Sequence, residues 1–362
     1  MLDIYTVVLI GISAAFIAIL IAIVVFMGYL RKILSIASFM SPNATIFAIG
    51  PKYTKMDELA KLLEMSSVTE VMGSIRKEGY RVESLEKADI EIEREMLRML
   101  DEVISMLPEG IRQFAEIYML KFDAAIVKRI LRAKKMGISK NEIYQAVYEG
   151  KYVSSLIINH MVEAMSVEDA IAALDATPFS SVIGIFGESG NLYDVDVALD
   201  RIFFEKIMEA RNNLDEDSRE AVEKLLGIMI DVYNLKVLVR GKMVDVNVEK
   251  HFVEGGYELS VWKLKSLAES RTLEELLANM GGTSYSFLRE VESAFEAEIA
   301  LDRFLLEKAN EMSLVYSTSS GPAMMFLIAK EYEARNLKAI IKGFKEAIEK
   351  EKIANLLVGV AL

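Results

Sequence analysis

The chain has 362 residues, 52% of them apolar, with five prolines, no cysteine and a formal net charge of −12. The missing cysteine excludes disulfides, thiolate catalysis, iron–sulfur clusters and cysteine–zinc sites. The negative charge argues against a nucleic-acid partner and against a body lying on anionic lipid.

The N-terminal segment carries no charge from Ile4 to Leu30. As a helix, Val7–Leu30 would be about 36 Å long, enough to cross a hydrocarbon core of about 30 Å. It has no basic start and is too long for a cleaved signal, so residues 1–32 are expected to be an uncleaved, single-pass anchor in the cell membrane. Arg31 and Lys32 follow directly, which puts the body on the cytoplasmic side by the positive-inside rule. Pro42 and Pro51 bracket residues 33–51, which are expected to be a linker. Asn43-Ala44-Thr45 fits a glycosylation sequon, which a cytoplasmic body would make irrelevant.

Beyond residue 51 the informative signal is internal repetition. Glu333-Ala334-Arg335-Asn336-Leu337-Lys338 through Lys342-Gly343 matches Asp231-Val232-Tyr233-Asn234-Leu235-Lys236 through Arg240-Gly241. A weaker copy starts at Asp123, with Lys128 and Arg132 in place but Ile126 where the others have asparagine. Ser67, Ser166 and Thr272 each precede an acid by three residues, the capping-box pattern, and are followed by Tyr80, Phe179 and Tyr285. A third block aligns Asp89, Glu93 and Arg94 with Asp196, Asp200 and Arg201, and with Glu298, Asp302 and Arg303. The acid–acid–arginine spacing is that of one solvent-facing helix stripe. The three blocks recur in the same order about 100 residues apart. The expectation is an all-α body of three helical repeats, 52–150, 151–258 and 259–362. No segment reads as a sheet, since the Val/Ile run at 182–185 is broken by Gly184.

Catalytic patterns are missing. His160 and His251 have no ligand partner at helical spacing, Gly184, Gly187 and Gly190 lack a dinucleotide spacing, and no P-loop or nucleophile elbow occurs. No cofactor, metal or catalytic residue is expected. The repeated carboxylates read as a solvated face or as ion pairs between repeats. Asp231, Asn234, Lys236, Arg240, Glu333, Asn336, Lys338 and Lys342 stand as positions that either tie the repeats together or line a partner's docking surface.

The run Lys330-Glu331-Tyr332-Glu333-Ala334-Arg335-Asn336-Leu337-Lys338-Ala339-Ile340 resembles the C/d family of archaeal and vacuolar ATPase subunits, as do Ile230 to Lys236 and the Asp200-Arg201 and Asp302-Arg303 blocks. The resemblance covers roughly residues 52–362. It implies a funnel of three similar helical subdomains whose wide base sits on the membrane ring of proteolipid subunits and whose cavity receives central-stalk subunits D and F. It further implies a non-catalytic rotor part of a proton- or sodium-translocating A-type ATP synthase. The N-terminal span is additional to that pattern: a rotor part tethered in the surrounding bilayer would sweep past the stator. The alternative is a membrane-anchored helical adaptor outside any rotary enzyme.

Overall fold

The computed structural model describes residues 3–244 and 247–360. Among these the chain is helical, and the one β-type pairing is an isolated parallel bridge between Lys55 and Val360.

Helix α1 runs Ile4–Ala48, 45 residues, about 67 Å at 1.5 Å per residue. Its described side chains from Ile4 to Leu34 are exposed. By length and composition it is able to cross a membrane. The segment 33–51, expected to be a linker, is instead helical through Ala48, with Pro42 inside the helix. Proline removes one amide and crowds the preceding turn, but here docking holds the helix together. Phe39, Pro42, Asn43 and Ile46 lie on one face and are buried against the body. Asn43 Nδ2 donates to the carbonyls of Ser317 (3.0 Å) and Ser319 (3.3 Å). Its burial also removes the sequon from glycosylation.

The body starts with short helices α2 (Met56–Glu64) and α3 (Val68–Lys77), then α4 (Ala88–Met106), α5 (Glu109–Tyr118) and α6 (Leu120–Lys135). Pro108 caps α5, and α5 and α6 form one long rod broken only at Met119. Next come α7 (Lys140–Gln145), α8 (Ser155–Glu163), α9 (Val167–Ala172) and α10 (Val182–Ser189). The Val/Ile run therefore lies in a helix, which Gly190 ends in a left-handed conformation (φ 63°). The first long hairpin is α4 with the α5–α6 rod; the second is α11 (Leu192–Ala210) and α12 (Glu216–Val244), followed by α13 (Val261–Ala268) and α14 (Leu273–Ala278). The third is α15 (Ala294–Val315) and α16 (Gly321–Lys345), followed by α17 (Lys350–Leu356). Pro322 sits in the first turn of α16, where its missing amide costs nothing.

The three hairpins close on one another. The α5–α6 rod packs on α11, α12 on α15, and α16 on α4, so the last hairpin meets the first. Helix α16 also packs against α2 and α3, and α17 against α2. The Ser67, Ser166 and Thr272 hydroxyls each accept the amide three residues on, starting α3, α9 and α14. Tyr80, Phe179 and Tyr285 are all buried.

Candidate functional site: a closed cycle of ties between helical units

Each long second helix carries one buried carboxylate, and each carboxylate collects three donors. Asp123 on α6 accepts the amides of Lys151, Tyr152 and Val153 at 3.2, 3.1 and 2.7 Å. Asp231 on α12 accepts the amides of Glu258 (2.7 Å) and Leu259 (3.1 Å) and the Tyr285 hydroxyl (3.0 Å). Glu333 on α16 accepts the Tyr53 amide (2.9 Å), the Tyr80 hydroxyl (2.7 Å) and Lys330 Nζ (2.6 Å). Phe179 has no hydroxyl to give, and the first joint makes up the difference with a third amide. A carboxylate has about four acceptor sites, so three donors nearly satisfy it.

Burial pushes Asp123 and Asp231 up to about 6, even with amide donors pulling the other way, because neither has a cation among its hydrogen-bond donors. The third joint differs: Lys330 (2% exposed) and Glu333 (1% exposed) form a buried ion pair. Gly150 and Gly256 are glycines because the chain passes so close to these acids: a Cβ there would stand 2.1 Å from Asp123 Oδ1 and 2.0 Å from Asp231 Oδ1.

Asn234 and Asn336 do the same work in two places. Asn234 exchanges two hydrogen bonds with the backbone of Val253, at 2.8 and 2.9 Å. Asn336 does so with Val358, at 2.7 and 2.9 Å, and also donates to the Tyr53 carbonyl. Ile126 fills the corresponding place in the first unit without such a bond.

The basic residues that follow these acids reach across to the next unit. Lys128 pairs with Asp200 at 2.5 Å and Arg132 with Asp196. Lys236 pairs with Asp302, and Arg240 holds Glu298 with two bonds of 2.7 and 2.6 Å. Lys338, on the last hairpin, pairs with Glu93 on the first, where Arg129 joins it. The acid–acid stripe is therefore not solvent-facing throughout. Glu93 and Asp302 are buried, and the reason is that each is an interunit contact. Burial alone would raise Glu93, but Lys338 and Arg129 hold it below the usual carboxylate range. Asp302, buried too, is likewise held low by Lys236 and Arg335, and it also accepts the Tyr332 hydroxyl at 2.6 Å. Lys342 is exposed, 4.0 Å from Glu346 on its own helix, and makes no pair with Asp89.

A pocket of about 200 Å³ lies where α6, α11, α12, α15 and α16 meet. Lys121, Asp200, Lys236, Asp302, Glu331 and Arg335 line it. Each of its anions is paired: Asp200 with Lys128, Asp302 with Lys236 and Arg335, Glu331 with Lys121 at 2.6 Å. Charges cancelled within the protein leave little to attract an ionic ligand. Among the described residues no group of His, Asp and Glu is arranged to hold a metal. His160 is exposed on α8, and His251 sits 3.2 Å from the Tyr193 hydroxyl, a contact that sequence spacing did not show.

The sequence blocks singled out Asp231, Asn234, Lys236, Arg240, Glu333, Asn336 and Lys338, and all of these are ties within or between units. Lys342 is not. Reading the blocks alone missed Tyr53, Lys330, Gly150 and Gly256. The signal that would have found Tyr53, Gly150 and Gly256 is a glycine three residues before the amide donor in every unit: Gly50 before Tyr53, Gly150 before Val153, Gly256 before Leu259; the positions matching Lys330 are Ile228 and Leu120, so no repeated signal marks it.

Residues 42–356 match the model of the ATP synthase (C/AC39) subunit family. The chain belongs to that family. It is similar to the C subunit of the A-type ATP synthase of Methanocaldococcus jannaschii, 27% identical over 91% of this chain and 88% of that protein. The corresponding protein of Methanothermobacter thermautotrophicus is 28% identical over 92% of each chain, and that of Pyrococcus abyssi 24% over 87% and 89%. Members of this ATP synthase (C/AC39) family are non-catalytic subunits, and so is this chain. The family match starts at residue 42, so most of α1 lies outside it.

Proposed function

We propose that this subunit is the rotor element that joins the membrane proteolipid ring to central-stalk subunits D and F and passes torque between them. The observation that supports this reading is the closed cycle. Lys128–Asp200, Lys236–Asp302 and Lys338–Glu93 link first to second, second to third and third back to first. A chain of helical units open at its ends would flex under load. One whose last unit is tied to its first resists shear at every joint, since packed interfaces deform little.

In this reading there are three units, and their phase differs from the boundaries 52–150, 151–258 and 259–362. Each hairpin works with the short helices that follow it, and the third hairpin is completed by residues 50–82 from the other end of the chain. The body is on the cytoplasmic side of the membrane, with α1 as its single span. Torque transfer needs no bond chemistry and no cofactor; it needs stiffness and two docking faces. The motor's ion, proton or sodium, is chosen by carboxylates in other subunits.

The test is recovery of partners. Tagged full-length chain, taken from native membranes in mild detergent, is expected to bring down the proteolipid and subunits D and F together. Recovery of the chain without any of them would favour a separate adaptor role.

A further inference from the structure

Helix α1 leaves the body at a defined place. The turns of the three hairpins meet at one end. Asn213 of the second donates to Gln113 of the first at 3.5 Å, and Gly110 lies so close that a Cβ would be 3.0 Å from the Asn213 carbonyl. Ser320 of the third donates to the Ser218 carbonyl of the second at 3.2 Å, and Lys224 to the Tyr316 hydroxyl at 3.2 Å. Between the third and the first stands α1. Asn43 holds the Ser317 and Ser319 carbonyls, and Thr45 Oγ1 lies 3.9 Å from Met106 Sδ at the end of α4. The helix is thus wedged into the cluster of turns, between the third hairpin and the first, and continuous with the body through Pro42.

Its exposed surface has two tiers. The lower, Ile4–Leu30, has the length and composition of a hydrocarbon span. The upper begins after Arg31 and Lys32 and carries no charge from Ile33 to Pro51. One face of it is buried; the flank beside that face exposes Ile33, Ile36, Met40 and Phe47. The whole helix is about 67 Å long, more than twice the hydrocarbon thickness, so lipid does not cover both tiers. Leu314 and Val315, exposed at the neighbouring turn, extend the same apolar end.

We propose that α1 is an axial pin: it enters the lumen of the ring formed by the partner's apolar membrane helices, the inner rim of that ring covers the upper tier, and the pin turns with it. This rests on the rotor reading above. A span fixed to a rotor body has to turn with it, and the ring lumen is the one membrane position from which it does not cross the stator.

The chain has no cysteine, so Ile19→Cys and Met40→Cys each give it a single attachment point for benzophenone-maleimide, and the wild-type chain in the intact complex, treated alike, is the control for labelling of other subunits. On irradiation, the Met40→Cys chain is expected to lose its free band and gain one heavier by a single proteolipid, with the adduct on inward-facing residues. The Ile19→Cys chain is expected to react with inward-facing proteolipid residues or with lumenal lipid. Adducts of either variant to a stator subunit or to outward-facing proteolipid residues overturn the proposal. So does a Met40→Cys chain that reacts with lipid alone while the subunit remains in the complex. Loss of the wild-type chain from purified ring and stalk is a different result: it removes the rotor reading and this proposal with it.

Discussion

Asp123, Asp231 and Glu333 occupy matching places, yet they are held differently, and the difference is measurable. The Lys330–Glu333 pair is out of water. Glu333→Gln leaves Lys330 buried without its counter-ion, which is expected to cost on the order of 3–5 kcal/mol in denaturant unfolding, with part recovered in Lys330→Met/Glu333→Gln. Asp231 instead titrates near 6 in the fold, above its unfolded value of about 3.9. The folded form therefore binds the proton more readily, and its share of stability grows as pH falls through that window. Relative to Asp231→Asn, the wild-type chain is expected to gain unfolding free energy between pH 7 and pH 5, with no further gain below about pH 4. A flat difference across pH 5–7 would show that Asp231 does not titrate there. The asparagines were legible in the sequence because Asn234 and Asn336 repeat in the same block. The tyrosine hydroxyls were not read as donors, since Phe179 breaks the pattern and the acid each one meets lies far off in sequence.

At the level of helices, the joints between units combine buried and exposed pairs. Asp302 is buried and takes Lys236, Arg335 and Tyr332; Arg240, which holds Glu298, is exposed. Asp302→Asn is expected to lower the unfolding free energy by about 3–5 kcal/mol, because two cations lose their anion. Glu298→Gln is expected to cost less than about 1 kcal/mol. Comparable losses in equilibrium unfolding would mean that the joint does not depend on burial. The capped starts of α3, α9 and α14 were readable from spacing alone. Whether the stripe Asp89/Glu93 and its copies faced solvent or paired with another unit stayed open in the sequence, because an ion pair between units looks the same there as an exposed charge. The extent of α1 was hidden for a related reason: Pro42 is a helix breaker locally, and only the buried contacts of Phe39, Asn43 and Ile46 explain why the helix continues.

Across the whole molecule the recurring blocks are legible in the sequence, and the phase of the units proposed above is not. A recurring block does not say which neighbour it packs against, and here α16 takes α2 and α3 from the far end of the chain. Val360 and Thr54 are hydrogen-bonded at 2.9 Å, and Met56 donates back to Val360 at 3.2 Å. A permuted body that joins residue 360 to residue 50 through a short loop and opens between Val291 and Ser293 is expected to fold with unchanged helical circular dichroism. Failure of that permutant, with the unpermuted body folded, would argue against the phase assigned to the units. The role proposed for the molecule is to carry rotation between stalk and ring. The direct measurement is ATP-driven ion pumping and ATP hydrolysis, followed together in vesicles stripped of this subunit and then resupplied with it. Hydrolysis that persists while pumping disappears, with pumping restored on resupply, is the predicted result. Pumping that continues undiminished in the stripped vesicles would contradict it.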